Sequence, residues 1–255
     1  MAARSSLLFR WGLTALSLAA GAAVWEIVGR RTGAAFMAPL SETLTRLWEL
    51  TRSGELLRAL GSSLGLFAAG FALSVVLGVP FGLLLARVRL LRIALEPYIT
   101  VMNATPMAAL IPFILSMLGF GFAPKILVVF LFAVFPILYN TVEGARSIRP
   151  ELIEVARSFR STERALWLDV LFPATLPYMM TGFRQATGRA LVGMVAAEFF
   201  LAASGIGELI MVSSRNFDTA ALFGTTLTIT ALGVALMRIA TALEARFTVW
   251  RGIGR

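Results

Sequence analysis

Apolar residues run along this chain in long blocks, not in the alternation of a half-buried strand or the single stripe of a surface helix. A membrane-crossing helix needs about 20 mostly apolar residues, because roughly 30 Å of hydrocarbon divides by about 1.5 Å of rise per residue. Six windows meet that demand: 11–28, 59–86, 97–121, 125–142, 190–207 and 219–238. The windows 59–86 and 97–121 carry no charge, whereas 190–207 holds Glu198 near its centre. The pattern predicts an all-α membrane protein with six transmembrane helices, forming one membrane domain over 1–255. The first window could instead be a secretory signal, with Arg4 and Arg10 as its basic flank. Its apolar run is long for that role, and Trp25-Glu26 stand where small cleavage-site residues belong, so a span is preferred.

Two connecting segments break the apolar pattern. Residues 30–58 contain Met37-Ala38-Pro39, then Leu44, Leu47, Trp48, Leu56 and Leu57 among charges, which predicts a short amphipathic helix at the outer interface. Residues 143–184 are longer and more regular. Ser147 is a candidate cap for a helix whose first turn holds Pro150 and Glu151, both favourable there. Leu152, Val155, Ala156 and Phe159 recur at helical spacing, with Glu151, Glu154 and Arg157 off the stripe. After Ser161-Thr162 a second short helix is expected, with Leu166, Trp167, Val170 and Leu171 on one side, ended by Pro173 and Pro177. Pattern alone leaves two readings open: the stripe docks a partner, or it packs on the chain's own helices.

Composition sharpens the class. Apolar residues make up 58% of the 255 and charged residues 15%, against about 25% in a soluble domain. The absence of Cys and His excludes the usual zinc, haem and iron–sulfur sites and a His-activated nucleophile, so no catalytic and no metal-ligating residues are assigned. The single lysine, Lys125, follows Phe122-Ala123-Pro124 and not a glycine-rich loop, so this chain has no phosphate cradle of the Walker type. Any ATP must bind another chain. The net charge of +9 comes from arginines scattered between apolar spans, which suits membrane flanks and not a nucleic-acid surface. With the N-terminus inside, 15 basic residues fall on the cytoplasmic side and 7 outside, so both termini are expected to be cytoplasmic.

Polar residues inside apolar windows are the candidate pathway. Asn103 and Thr105 precede Pro106, and Glu198 lies in another window. Polar groups in hydrocarbon are costly unless they face the bundle interior or a wet cavity. Alternatively, Asn103 or Thr105 satisfies carbonyls freed at the proline, and Glu198 pairs with Arg189 or Arg238. The expectation is that Asn103 and Thr105 face a central passage, with Glu198 nearby as a fixed structural charge.

The run Glu154-Val155-Ala156, then Arg160, then Val170-Leu171-Phe172-Pro173 resembles the EAA loop of ABC importer permeases. That motif reads Glu-Ala-Ala, three residues, Gly, nine residues, then Ile-x-Leu-Pro, and the spacing here fits without a gap. Three further stretches resemble the nitrate, sulfonate and taurine group of these permeases: Phe135-Pro136-Ile137-Leu138-Tyr139-Asn140-Thr141, Pro173-Ala174-Thr175-Leu176-Pro177, and Val195-Ala196-Ala197-Glu198 with Ser204-Gly205-Ile206-Gly207. Arg160 stands where the motif has glycine, at a cost of roughly 1–2 kcal/mol if that position is left-handed.

The resemblance implies a type I ABC importer transmembrane domain in a bacterial inner membrane. It also implies two ATPase subunits docked at Glu154, Val155, Ala156, Arg157, Phe159 and Arg160. A separate substrate-binding protein would deliver a small polar or anionic solute, and a second permease subunit, expected to be another copy of this chain, would complete the pathway. This chain would carry no cofactor, with ATP and magnesium on the ATPase, and it would not itself be an enzyme. The rival reading is an ion-coupled secondary transporter or channel using Glu198. A single such acid and no visible inverted repeat weigh against it.

Overall fold

The computed structural model describes residues 2–33, 36–200 and 204–248, and every regular element among them is helical. In chain order these are α1 (Ala2–Thr32), α2 (Leu40–Arg52), α3 (Glu55–Arg87) and α4 (Arg89–Ala104). A 3-10 turn (Met107–Leu110) leads to α5 (Ile111–Leu118), then α6 (Phe122–Arg146), α7 (Pro150–Ser158) and α8 (Glu163–Ala165). A π-helical stretch (Leu166–Leu171) runs into α9 (Phe172–Phe200), followed by α10 (Ile206–Arg215) and α11 (Thr219–Thr248).

Four stretches among the described residues are long and apolar enough to cross a membrane: Trp11–Thr32, Glu55–Arg87, Phe122–Arg146 and Thr219–Phe247. A fifth exists if α4 and the Met107–Leu118 segment count as one span, but these are bent by 93°. The bend follows from Pro106, which has no N–H to continue the helix and drives Thr105 to an extended ψ of 132°. The structure therefore supports four or five apolar spans where the sequence windows predict six. The remaining window, 190–207, runs past the end of α9 through residues 201–203, which lie outside the described residues, and within α9 the charges Arg184, Arg189 and Glu198 interrupt the apolar face.

Two local expectations are corrected. Ser147 does not cap α7; it ends α6, with its hydroxyl donating to Gly144 O at 2.9 Å, and Arg149 is the residue that precedes α7. Pro173 and Pro177 do not end the second helix either. The chain stays helical from Glu163 to Phe200, because the π-helical stretch shifts the hydrogen-bond ladder just before the prolines. Thr175 and Thr181 donate to Leu171 O and Pro177 O in the same stretch.

The chain forms two compact units. The first comprises 1–60 and 204–230. Here Gly29 lets α1 meet the start of α2, since a Cβ at Gly29 would lie 2.6 Å from Pro39 Cα. Glu26 accepts from the Ser41 N–H and hydroxyl, and Trp25 donates to Ala38 O at 3.1 Å. Leu50, Leu56, Leu209 and Ala221 form its core. The predicted amphipathic helix is α2, with Thr43 and Leu50 buried and Leu44 and Trp48 exposed.

The second unit comprises 61–203 and 231–255, and its centre is the pair α6 and α9. Small residues let these helices approach, as membrane helices require when no hydrophobic force separates lipid from protein. A Cβ on Gly193 would lie 2.8 Å from the Phe132 ring, and one on Gly182 would lie 3.0 Å from Asn140 Cβ. Ile111, Ile114, Val128 and Ala197 are buried beside this seam.

Candidate functional site

The predicted docking segment folds as a short helix closed by a tight turn. In α7, Pro150 sits in the first turn and Glu151 follows it, so no donor is wasted and the acid meets the positive helix end. The helix ends when the Arg160 N–H donates to Arg157 O at 2.8 Å and the Ser161 N–H to Ala156 O at 3.1 Å. This paired closure needs a left-handed residue, and Arg160 takes that place with φ of 55°. The motif glycine position is thus a conformational one, filled here by an arginine whose side chain is exposed.

The apolar stripe divides into two faces. Ala156 is 9% exposed and packs with Leu166 and Leu171, flanked by Ile148, Ile153, Trp167 and Val170. That cluster anchors α7 on the helix that follows it. Leu152, Val155 and Phe159 point the other way, at 41%, 54% and 83% exposure, on one edge of the helix. Glu154, Arg157 and Arg160 are also exposed. Thr162 accepts from the Ala165 N–H at the next helix start, and Arg87 at the end of α3 pairs with Glu163 at 3.1 Å. Of the six residues expected to dock a partner, five are accessible and Ala156 lies underneath them.

A second feature lies in the second unit. Asn103 and Thr105 line a cavity of about 340 Å³ together with Arg189 and the apolar Phe132, Phe135 and Val192. The Arg189 guanidinium donates to Asn103 Oδ1 at 2.9 Å. The Thr105 hydroxyl donates to Val101 O, satisfying a carbonyl of its own helix ahead of the proline break. Glu198 does not line this cavity. It is 1% exposed and accepts a 2.6 Å hydrogen bond from the Ser63 hydroxyl. Sequence reasoning places Arg189 outside the apolar windows, as a flank of 190–207, although α9 carries it in mid-helix.

The comparisons accord with this architecture. Residues 78–249 match the family described as "Binding-protein-dependent transport system inner membrane component". The chain is similar to a "Probable ABC transporter permease protein" of Brucella abortus strain 2308, at 31% identity over 240 residues, covering 94% of this chain and 96% of the relative. It is also similar to the nitrate import permease protein NrtB of Synechocystis, at 27% identity over 240 residues, covering 91% and 87%. Among solved structures, an inward-facing MetNI methionine ABC transporter superposes with a TM-score of 0.62 at 17% identity, over 79% of this chain and 97% of that one. At that identity the likeness carries the fold, which is the type I importer permease fold. The family consists of multi-pass transport subunits and not enzymes, with ATP hydrolysis on a separate subunit. The chain belongs to this family of inner-membrane permease components of ABC transporters.

Proposed function

We propose that this chain is the pathway-forming subunit of an ATP-driven importer, working as a pair of copies with two ATPase subunits and a substrate-binding protein. The observation that carries the docking role is the split of α7. One face is buried and fixes the helix, while Leu152, Val155 and Phe159 remain as an uncovered apolar edge beside Glu154, Arg157 and Arg160. An anchored helix with an apolar edge and a charged rim suits a groove on a partner. Closure of the ATPases on ATP tilts α7, and the rigid connection through the Ala156 cluster passes that movement to α9. Asn103 and Thr105 face the passage between the paired copies, and Glu198 stands as a fixed charge held by Ser63. The cargo is a small polar or anionic solute, consistent with a relative named for nitrate import.

The test is a double substitution, Val155→Ser with Phe159→Ser, in the complex made with the co-encoded ATPase. Both side chains are exposed, so the permease should reach the membrane at its normal level. Transport and recovery of the ATPase with the permease should fall at least about tenfold, the loss that about 1.4 kcal/mol of contact energy produces. Normal transport in this variant rules out docking through α7.

A further inference from the structure

We infer that the Arg189 cavity is a binding site for a small oxyanion, a nitrate- or sulfonate-like group, and that Arg189 is the residue selecting for that charge. This deepens the importer reading and rests on it.

The charges along α9 are unevenly compensated. Arg184 is matched: its guanidinium pairs with Glu244, whose carboxylate also accepts from the Thr181 hydroxyl. Further along the same helix, Arg189 forms no ion pair among the described residues, and its partner there is the neutral amide of Asn103. No acidic side chain lines the cavity. Arg189 is exposed, so a soluble anion can reach its guanidinium, and no carboxylate at the cavity competes for it.

The geometry of donors suits an oxyanion. One nitrogen of the guanidinium is used on Asn103 Oδ1, and the planar fork has further N–H groups able to meet two oxygens at once. Holding Oδ1 on Arg189 turns the Asn103 amide nitrogen into an additional donor at the cavity. The Thr105 hydroxyl is spent on Val101 O, so it offers lone pairs and not a donor. Phe132, Phe135 and Val192 supply a wall of low polarity that strengthens the field of the one charge. At about 340 Å³ the space admits a nitrate or a small alkylsulfonate with its water. A cationic solute would meet an uncompensated like charge.

Because the chain contains no native cysteine, one reporter thiol can read the potential directly. Val192 is 60% exposed and lines the cavity, so Val192→Cys is made in the full transporter complex in lipid vesicles. Its modification is followed by the mass of the permease subunit. A sulfonatoethyl thiosulfonate reagent should react about tenfold faster, relative to the trimethylammonioethyl reagent, than it does with a free thiol. Nitrate and ethanesulfonate should slow that reaction. Adding Arg189→Gln should abolish the preference and the protection, whereas Arg189→Lys should keep the preference and weaken the protection. Equal reactivity of the two reagents, or protection that survives Arg189→Gln, overturns the proposal. Slowing by added phosphatidylglycerol instead of the soluble anions assigns the site to lipid phosphate and also overturns it. Binding-protein-stimulated ATP hydrolysis by the unsubstituted complex is measured alongside. Its absence counts against the importer reading, while its presence with no anion preference counts against the Arg189 site alone.

Discussion

At Arg160 a single dihedral angle explains a departure from the family motif and predicts its consequence. The residue sits at φ of 55° and closes α7 through two backbone hydrogen bonds. Left-handed geometry costs a non-glycine residue roughly 1–2 kcal/mol, whereas glycine loses about 0.4–1 kcal/mol more chain entropy on folding. The first term is the larger, so Arg160→Gly should stabilise the permease by about 0.5–1 kcal/mol, seen as a raised thermal midpoint. Arg160→Val should lower it, because a branched Cβ fits that region worst. If Arg160→Gly leaves the midpoint unchanged or lowers it, the strain account of this turn is wrong. The sequence shows that an arginine has replaced the motif glycine, and the helix-end geometry then gives that change its meaning. Arg189 is the opposite case. The cavity around it is hidden in the sequence because the apolar run ends at the charge, while α9 continues through it.

At the scale of elements, much of the helical pattern is readable because burial in lipid demands long apolar runs, whereas breaks and faces are decided by tertiary context. The windows 59–86 and 125–142 fall within α3 and α6, and the amphipathic pattern after Pro39 falls on α2. Pro106 breaks its helix as local sterics require, yet Pro173 and Pro177 lie in a helix kept continuous by the π-helical stretch before them. Likewise, spacing puts Leu152, Val155, Ala156 and Phe159 on one broad stripe. Only the packing of Leu166 and Leu171 beneath Ala156 shows which part is covered. Glycines follow the same rule. A methyl at Gly193 would lie 2.8 Å from the Phe132 ring, so Gly193→Ala should separate α6 from α9 at a cost of about 1–3 kcal/mol. A methyl at Gly65, in α3, would meet nothing within 4 Å, and Gly65→Ala should be neutral or slightly stabilising. Thermal unfolding in detergent of the two variants side by side checks this. Equal stability would mean that the α6–α9 contact yields more readily than its geometry indicates.

For the whole molecule, the distribution of arginines sets an expectation of orientation in the bilayer that can be tested. With Arg184 and Arg189 set aside because α9 carries them in mid-helix, thirteen basic residues on one side against seven on the other favour both termini in the cytoplasm. That orientation would put α7 on the side of the proposed ATPase and α2 at the outer surface, where exposed Leu44 and Trp48 beside charged neighbours suit the interface. A cysteine-free chain permits a clean test. Thr45 is exposed, and among the described residues its hydroxyl donates to Ser41 O of its own helix, so Thr45→Cys leaves the Glu26–Ser41 contact intact. Ser161 is exposed beside the Arg160 turn and contributes its backbone N–H to it, so Ser161→Cys keeps the closure. In intact cells an impermeant thiol reagent should label position 45 and spare position 161 until the membrane is opened. Labelling of 161 with 45 protected would invert the molecule, place α7 away from ATP, and remove the basis for the coupling role proposed for it.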